Sequence, residues 1–225
     1  MEHPPHDPMP TLPAIRTLRE SDRGPLVSVL VRAFAADPFT HWFVLDDRRR
    51  RERMARLFDW YLRQALVRGF SHTTDDCRAV AVWMGPKQWE LSFWQQVRLL
   101  PEVLRVVGLR RAPSRLHGLN VFQQAHPAPP HYYLALLGTD PAFQGHGLGS
   151  AVLRPGLARC DREHMPAYLE TAAPQTIAFY ERHGFRVCGE LTVPHNGPRV
   201  RLMWREPQPS GPSPPGERGT GPKRP

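Results

Sequence analysis

The sequence predicts a domain of the α/β or α+β class, with strands early and late in the chain and helices concentrated between them. Segments whose apolar residues recur at helical spacing alternate with short runs of aliphatic, β-branched and aromatic residues. No segment repeats another, and 225 residues with 40% hydrophobic content can build one large core. No stretch approaches the roughly eighteen uninterrupted apolar residues of a membrane span, so we expect a soluble protein without a membrane partner.

The first half of the chain is predicted to hold three strands and three helices. Its elements are, in order, a strand at 14–18, a helix from Ser21 or Asp22 to about Ala36, a helix at 48–67, strands at 70–73 and in "CRAVAVWMG" ending at Gly85, and a helix at 91–108. The segment "HPAPPH" then breaks the pattern before the apolar run "YYLALLG", which has strand length and strand composition. A further helix, strand, helix and strand pair complete the domain.

Both ends of the chain are predicted to be disordered, which leaves residues 14–207 as the folded domain. Residues 1–13 and the tail 208–225 are too rich in Pro, Gly and Ser to bury a core. The first segment has no apolar signal-peptide core, so we expect a cytoplasmic protein. Cys77, Cys160 and Cys188 fit neither a disulfide framework nor a zinc site, and we expect them to be buried, reduced thiols.

The net charge of +9 comes mostly from two arginine-rich stretches, "DDRRRRERMARLFDWYLRQALVR" and "RLLPEVLRVVGLRRAPSR". The first also repeats apolar residues at helical spacing, at Met54, Leu57, Phe58, Tyr61, Leu62 and Ala65. This pattern predicts helices with solvated basic faces, and the alternative is a weak electrostatic funnel for a phosphorylated ligand. We expect no nucleic-acid partner because the basic helices do not interleave exposed aromatic residues that could stack on bases.

A glycine-rich segment, "TDPAFQGHGLGSAVLRPGLARC", joins a predicted strand that ends at Gly138 to a predicted helix. Glycines let the backbone approach a ligand closely, and the free N–H groups of a helix N-terminus favour a phosphate or pyrophosphate. The segment lacks the G-x-x-x-x-G-K-[ST] spacing of a P-loop, and its glycines at i, i+2 and i+4 do not match the dinucleotide fingerprint G-x-G-x-x-G. The spacing therefore predicts an anion site of another kind.

The spacing Q-x-x-G-x-G in this segment, preceded by "GTDPAF" and followed about thirty residues later by "FYERHGF", resembles the GNAT superfamily of N-acetyltransferases. The segments "RAVAVWMGP", "PAYLETAAPQTIAFYERHGF" and "GPRVRLMWREP" are similar to the puromycin N-acetyltransferase branch, and the resemblance covers nearly all of residues 15–207. It implies a GNAT fold with a central, mixed, mostly antiparallel twisted sheet of about six or seven strands flanked by helices. An enlarged helical region would lie between the early strands and the cofactor-binding strand.

The resemblance also implies acetyl-coenzyme A as the co-substrate. In this superfamily the Q/R-x-x-G-x-G/A loop binds the coenzyme pyrophosphate, and the strand before it pairs its backbone with the pantetheine arm. The cofactor-binding residues implied here are Leu136, Leu137, Gly138, Thr139, Gln144, Gly145, His146, Gly147, Leu148, Gly149, Ser150 and Tyr180.

Direct acetyl transfer needs a neutral amine, a polarised thioester carbonyl and a proton for the departing thiolate. The resemblance puts Tyr180 where related enzymes use a tyrosine as general acid near the coenzyme sulfur. From the residues alone, an aromatic side chain packed on the inner face of a helix is the preferred interpretation. Polarisation of the carbonyl is implied for a backbone N–H near Leu137.

Glu170, in "YLET" at the end of a predicted strand, is the candidate general base, because a carboxylate beside the cofactor cleft can accept a proton from the amine. An equally supported interpretation is that Glu170 orders the following turn or pairs with an arginine. Asp37, His41 and Glu190 are weaker candidates for the base.

We expect no metal, because the eleven histidines are scattered without H-x-x-x-H spacing or an acidic partner at ligand spacing. "GLGSA" around Ser150 resembles a G-x-S-x-G nucleophile elbow but lacks its second glycine. We therefore disfavour hydrolysis and expect Ser150 to cap the helix or touch phosphate.

Two positions depart from the superfamily pattern. Ala173 stands where many members have an asparagine that contacts the coenzyme, although the puromycin-type branch tolerates alanine there. His146 stands where a lysine or arginine often follows the first glycine, so that the positive charge near the pyrophosphate becomes pH-dependent. We expect a modest cofactor affinity.

The acceptor pocket is expected in the first half of the chain, where "DPFTHWF" links two helices and Trp83, Trp89 and Trp94 lie nearby. Such aromatic residues suit an aromatic or amphipathic amine, whereas core and lid packing explains each of them singly. The resemblance implies a small-molecule amine, such as an antibiotic or other xenobiotic, and the extra helices favour a closed pocket. The alternatives are a protein lysine or N-terminus as acceptor and a coenzyme-A-binding regulatory module without turnover. We expect a monomer or a homodimer.

Overall fold

The computed structural model describes residues 12–68, 70–89 and 93–209. The segments predicted to be disordered, 1–13 and 208–225, lie outside the described residues except at positions 12–13 and 208–209. The disorder of these segments, and with it the boundaries of the folded domain, stays a prediction.

The described residues form seven strands, seven helices and four short 3₁₀ turns. The strands are β1 Ile15–Thr17, β2 His72–Thr74, β3 Ala79–Met84, β4 Tyr132–Thr139, β5 Ala167–Thr171, β6 Arg186–Thr192 and β7 Arg199–Arg205. The helices are α1 Arg23–Ala33, α2 Pro38–Phe43, α3 Arg50–Arg68, α4 Phe93–Val107, α5 Ala112–Ala125, α6 Leu148–Arg162 and α7 Ile177–Arg182.

All seven strands belong to one sheet in the order β1-β2-β3-β4-β5-β7-β6. Every neighbouring pair is antiparallel except β4 and β5, which are parallel. Three helices, α3, α4 and α5, are inserted around β2 and β3 before the chain enters β4. The predicted mixed, mostly antiparallel sheet of six or seven strands with an enlarged helical region is confirmed.

The segment "DPFTHWF" is itself a helix rather than a link between helices. The helix predicted to run to Ala36 ends at Ala33, and α2 begins five residues later. Asp37 caps α2, because its side chain accepts a hydrogen bond from Thr40 N at 2.7 Å, and Pro38 occupies the first turn. Asp followed by Pro is a start signal for a helix as well as a break in the preceding one.

Helix α5 is an element that the sequence pattern did not predict. The predicted helix at 91–108 corresponds to α4, and a 3₁₀ turn at Leu109–Arg111 leads directly into α5. Pro113 lies in the first turn of α5, where its missing N–H costs no helical hydrogen bond. The segment "HPAPPH" ends α5, in agreement with its prediction as a break.

Strand β3 lies at the centre of the core because helices cover both faces of the sheet there. Val80 and Val82 pack on the side of α1 and α3, whereas Ala79, Ala81 and Trp83 pack on the side of α6. All six residues of the strand are buried. A strand buried on both faces reads as a continuous apolar run, which explains why "AVAVWM" carries a strong strand signal.

Trp83 is a core residue and does not line the acceptor pocket, which agrees with the packing interpretation of this tryptophan taken singly. Its indole is fully buried and lies against α6 at Gly156. A Cβ atom built on Gly156 would approach the indole Nε1 to 2.3 Å. Glycine is therefore required in the middle of α6, although it costs helix propensity there.

The arginine-rich helix α3 buries its apolar side and exposes Arg51, Arg56 and Arg63, as predicted for a solvated basic face, whereas Arg50 and Arg53 are half-buried. Met54, Phe58 and Leu62 are buried, whereas Arg63 is exposed and pairs with Asp59 at 2.8 Å. All three cysteines are free, as predicted, but only Cys160 is buried, whereas Cys77 is half-buried and Cys188 is exposed on strand β6.

Candidate active site

Strands β4 and β5 separate shortly after they begin to pair, and this opens a cleft in the sheet. They pair in parallel at Tyr132 with Ala167 and at Tyr133 with Tyr168, and the ladder ends there. The other edge of β4 is paired with β3 as far as Thr139. The edge of β4 from residue 134 onward therefore presents backbone N–H and C=O groups to the cleft rather than to a neighbouring strand.

The glycine-rich loop and the N-terminus of α6 form one end of this cleft. The first helical hydrogen bond of α6 runs from Ala151 N to Gly147 O at 3.0 Å. The N–H groups of residues 148–150 precede that ladder and have no partner within the helix. Residues 147–150 all line the cavity in the cleft, so the loop presents backbone donors at the positive end of the helix dipole.

Two glycines of the loop adopt a backbone conformation that other residues rarely take. Gly145 has a φ of 81° and Gly147, the residue that precedes α6, has a φ of 80°. A side chain at these positions would meet no neighbouring atom, since nothing lies within 4 Å of an added Cβ. Backbone conformation, not space, therefore explains the glycines at 145 and 147.

Two side chains of the loop stabilise its conformation through hydrogen bonds to backbone carbonyls. The Gln144 amide donates to Thr139 O at 3.3 Å, and the His146 ring bonds Gln144 O at 2.9 Å. His146 does not line the cavity, whereas every other predicted cofactor-binding residue does. Its ring acts on the loop backbone in this structure rather than on the cleft.

Ser150 forms a hydrogen bond with His183, 2.9 Å from Oγ to Nε2. Burial, followed by the charges of nearby arginines, lowers the pKa of His183 and so favours the neutral ring. A hydrolytic Ser-His pair needs a carboxylate that orients the histidine, but the charged residues that act on His183 are Arg154, Arg182 and Arg205. This environment agrees with the expectation that Ser150 is not a nucleophile.

Tyr180 lies on α7 and borders the cavity beside the loop. Its side chain is 9% exposed and packs edge-on against Phe179 and Phe185. Burial raises the pKa of its phenol, and the nearby charge of Asp37 raises it further. The phenol therefore keeps its proton at neutral pH and can serve only as a proton donor there.

The other end of the cavity is enclosed by the helices of the first half of the chain and by aromatic side chains. The residues that form this acceptor compartment include Phe39, Tyr61, Trp89, Leu99, Val103, Leu119, Phe122, His126, Tyr133 and Glu170. The whole cavity measures about 1560 Å³, above the roughly 300–1,000 Å³ of most single-ligand pockets. It is large enough to hold a coenzyme arm and an acceptor together.

Glu170 is the carboxylate of this compartment, and two tyrosines hold it in place. The hydroxyls of Tyr168 and Tyr133 donate to its Oε1 and Oε2, each at 3.0 Å. Burial is the main cause that raises the pKa of both phenols, and the charge of Glu170 raises it further. Both therefore remain neutral donors, and each carboxylate oxygen keeps lone-pair capacity for another donor.

The weaker base candidates either have other hydrogen-bond partners or lie away from Glu170. Asp37 borders the cavity, but its carboxylate is occupied as the cap of α2. His41 faces a second cavity of about 700 Å³ on the far side of α2. Glu190 pairs with Arg199 and Arg201 at the outer edge of the sheet.

The predicted tryptophans have three different outcomes. Trp89 lines the acceptor compartment and stacks on His126 with ring centroids 3.6 Å apart. Trp83 is in the core, as described above, and the side chain of Trp94 lies outside the described part of the chain.

Sequence reasoning missed several aromatic residues of the compartment. Tyr61 was recognised only as part of an apolar helix face, and Tyr133 only as part of a strand. His126 belongs to "HPAPPH", which indicated a break in structure. Phe122 lies on α5, the unpredicted helix. Only the tertiary arrangement of α3, α5 and the sheet brings these residues to one cavity.

Among residues 12–68, 70–89 and 93–209, no group of three or more His, Cys, Asp or Glu side chains is arranged to hold a metal ion. None of the helices in the described part of the chain has both the length and the apolar character needed to cross a membrane.

The sequence model of the Acetyltransferase (GNAT) family matches residues 54–185, which is more than half of the chain. The chain belongs to the GNAT acetyltransferase family. The matched range contains the glycine-rich loop, Glu170 and Tyr180. The family to which this acetyltransferase belongs uses acetyl-coenzyme A.

Similar proteins extend over nearly the whole acetyltransferase. An uncharacterized N-acetyltransferase of Schizosaccharomyces pombe is 24% identical over 215 residues, covering 87% of this chain and 84% of that protein. A Corynebacterium glutamicum structure described as histone acetyltransferase HPA2 and related acetyltransferase has a TM-score of 0.69 at 25% identity, covering 89% of this chain and 99% of its own.

A third similar structure is the polyamine N-acetyltransferase of Drosophila melanogaster, an enzyme that forms N-acetylagmatine. Its TM-score is 0.58 at 16% identity, with 86% of this chain and 99% of that chain covered. At this identity the likeness shows the shared fold.

Proposed function

We propose that this acetyltransferase moves the acetyl group of acetyl-coenzyme A to a primary amine of a small molecule by direct attack in a ternary complex. The observation that carries the proposal is one continuous cavity, with backbone donors of the glycine-rich loop at one end and an aromatic compartment containing Glu170 at the other. Such a cavity allows the thioester and the amine to meet without an intermediate on the enzyme.

The coenzyme would bind with its pyrophosphate on residues 144–150 and its pantetheine arm along the free edge of β4. The diverging strands support this placement, because the backbone groups of β4 from residue 134 onward have no partner strand on that side. A backbone N–H near Leu137 would polarise the thioester carbonyl. The Tyr180 phenol would donate its proton to the departing thiolate.

The acceptor would bind as an ammonium ion with an apolar body. A carboxylate surrounded by aromatic rings attracts a cation through its charge and through the ring faces, and Glu170 lies between Tyr133 and Tyr168. Glu170 would then accept the proton that makes the amine nucleophilic. This chemistry, together with the puromycin-type resemblance of the sequence, favours an aromatic or amphipathic amine such as an antibiotic or other xenobiotic.

The second candidate is a protein lysine or N-terminus as the acceptor. Relatives of this fold include a protein described as a histone acetyltransferase, which keeps this candidate open. The enclosure of the compartment by α3, α4 and α5 favours the small molecule, because an extended peptide needs an open groove. A coenzyme-binding module without turnover is the third candidate, and the presence of both Tyr180 and Glu170 at the cavity argues against it.

The test is release of coenzyme A thiol from acetyl-coenzyme A with a panel of acceptors: puromycin, an aminoglycoside, an arylalkylamine, agmatine and a histone-type peptide. We expect turnover of at least one small amine, and a loss of about 10²-fold or more in kcat for Tyr180→Phe. Tyr132→Phe is the matched control, since Tyr132 is a buried tyrosine that bonds Glu163 outside the cavity.

Three results would contradict the proposal in different ways. Turnover of the peptide alone would favour the protein acceptor. Coenzyme binding by calorimetry without turnover of any acceptor would favour the regulatory module. Absence of coenzyme binding would overturn the assignment of the glycine-rich loop.

A further inference from the structure

A chain of three side chains leads from the acceptor compartment into the protein. His126 Nδ1 is 3.7 Å from Glu170 Oε1, and His126 Nε2 is 2.8 Å from His131 Nε2. His131 Nδ1 is 2.7 Å from Pro129 O. The side chains of His126 and Glu170 are 5% and 13% exposed, and His131 is 2% exposed. The imidazoles of His126 and His131 thus form a buried pair beside Glu170.

The contacts of His131 determine where the protons of both rings lie. A carbonyl oxygen only accepts hydrogen bonds, so His131 Nδ1 must carry the proton that bonds Pro129 O. Burial lowers the pKa of His131, and a neutral imidazole carries one proton, so its Nε2 is an acceptor. His126 must then donate from Nε2. The remaining nitrogen of His126, Nδ1, is the one that faces Glu170.

Aromatic rings hold the plane of His126 in this position. Trp89 stacks on one face at 3.6 Å between ring centroids, and Tyr133 and Tyr168 contact the ring edge-on at 5.1 and 4.8 Å. Among residues 12–68, 70–89 and 93–209, the titratable groups in contact with His126 are Glu170 and Tyr168 from β5, Tyr133 from β4 and His131 from the segment before β4. Glu170 is the charged group among them.

We infer that Glu170 and His126 act together as the proton acceptor of the reaction, and that His131 is a positioning residue that fixes the tautomer of His126. The inference rests on the proposed function. Glu170 Oε1 takes a proton from the acceptor ammonium as its N–H bond breaks, and the amine keeps the electron pair. The proton then passes from Glu170 to the lone pair of His126 Nδ1, which leaves an imidazolium beside a carboxylate.

This arrangement answers a difficulty of a lone carboxylate base. Both oxygens of Glu170 already accept phenol hydrogen bonds, and hydrogen bonds to a carboxylate favour its ionised form. A second group that receives the proton from Glu170 therefore assists the reaction. An imidazole is the side chain best suited to hold a proton near neutral pH. The distance of 3.7 Å is longer than a hydrogen bond, and catalytic contacts of this length often tighten when the substrate binds.

The first test does not depend on activity. Long-range ¹H–¹⁵N correlation spectra of the histidine-labelled full-length protein show which ring nitrogen carries the proton. At pH 8 we expect the Nε2–H tautomer for His126 and the Nδ1–H tautomer for His131, with both signals assigned by their loss in His126→Gln and His131→Gln. Any other pair of tautomers overturns the inference, whether or not the protein turns over an acceptor.

The second test separates positioning from structure. In His131→Phe, which cannot accept from His126 Nε2, we expect the His126 tautomer to become mixed and kcat/KM to fall. His131→Gln offers an amide oxygen as acceptor and should restore both. Equal losses in the two variants, with coenzyme binding retained, would show that His131 has a packing role only and would overturn its part of the inference.

The third test addresses His126 directly through the pH profile of kcat/KM with an acceptor that is turned over. We expect His126→Gln to lose on the order of 10²-fold at neutral pH and to change the shape of the pH profile. His117→Gln is the matched control, because His117 forms a similar pair with His195 at 3.1 Å in an exposed position away from the cavity. An unchanged profile in His126→Gln would contradict the inference, and coenzyme binding by calorimetry would confirm that the variant is folded.

Discussion

The two ends of the cavity are formed by different kinds of chemical group. The end proposed to bind the coenzyme, called the coenzyme end below, consists mainly of backbone groups: the free edge of β4, the N–H groups at the start of α6 and two glycines with positive φ. The acceptor end consists of side chains from α3, α5, β4 and β5 around Glu170. A backbone site depends on local conformation, whereas a side-chain site depends on how distant elements pack.

This difference determines how each end responds to substitution. At the coenzyme end, a change of residue matters where it alters the backbone, so most side chains there can vary without loss of the binding groups. At the acceptor end, one side chain can supply the whole of a chemical step. The following predictions test this contrast, beginning with the largest expected effect.

Glu170→Gln should reduce turnover strongly and leave coenzyme binding intact. The amide keeps the size of the carboxylate, and its oxygen can still accept from one of the two tyrosines that bond Glu170, but it cannot take a proton from the amine. We expect kcat/KM to fall by about 10²- to 10⁴-fold, measured by thiol release, and the coenzyme Kd to stay within about twofold by calorimetry.

Glu163→Gln is the control for this substitution. Glu163 also accepts a hydrogen bond from a tyrosine, Tyr132, but it lies outside the cavity and pairs with Arg159 at 2.7 Å. Near wild-type turnover in Glu170→Gln would show that the carboxylate is not the base, and a comparable loss in Glu163→Gln would show that the effect is not specific to the acceptor end.

Asp161→Asn should lower the stability of the contacts among α6, α7 and β7, which support the coenzyme end. Asp161 near the end of α6 accepts two hydrogen bonds from Arg205 of β7, at 2.7 and 2.9 Å, and Arg205 also bonds His183 O after α7. The Arg205 side chain is 4% exposed and that of Asp161 21% exposed. Loss of the counter-charge should cost about 2–3 kcal/mol of unfolding free energy at pH 7, somewhat below the cost for a fully buried pair.

The pH dependence of this loss has a definite sign. The pKa of Asp161 is lowered in the folded protein: burial opposes the charged form, but hydrogen bonds from Arg205 and Gln208 N outweigh it. A lowered pKa contributes stability above the unfolded-state pKa of about 3.9, and this is lost as the pH falls through the folded-state pKa. In urea titrations the wild type and Asp161→Asn should therefore differ at pH 7 and converge below pH 4. A difference that persists at low pH would contradict the ion-pair explanation.

The exposed pair Arg49–Glu52 provides the control, since Glu52→Gln should cost less than about 1 kcal/mol of unfolding free energy.

The contrast between the two ends also explains what could be predicted from the sequence. The coenzyme end is a contiguous segment whose glycine spacing is visible in "FQGHGLGS", and the structure places all its predicted residues except His146 on the cavity. The mixed, mostly antiparallel sheet of six or seven strands implied by the family resemblance is also confirmed. Local sequence carries this information because the binding groups are neighbours in the chain.

The acceptor end was predicted only in part because its residues are far apart in the chain. Tyr61, His126 and Tyr133 meet through the packing of α3 and α5 on the sheet, and α5 was itself not predicted. The tryptophans show the same limit: Trp83 and Trp89 are six positions apart, yet one is in the core and the other on the cavity. Aromatic composition indicates a compartment but not which rings face it.

Gly147→Ala should produce the smallest effect of the three, and it tests whether the coenzyme end is set by backbone conformation. An alanine Cβ at this position would meet no atom within 4 Å, but the φ of 80° is strained for any residue with a Cβ. The strain costs about 1–2 kcal/mol, so we expect the acetyl-coenzyme A Kd to rise by about 5- to 30-fold in calorimetry. Gly24→Ala is the matched control, since an added Cβ there also meets nothing within 4 Å and its backbone is helical. Equal affinities in the two variants would mean that the loop conformation does not determine coenzyme binding. The coenzyme end would then not depend on backbone conformation, and the contrast between the two ends would be wrong.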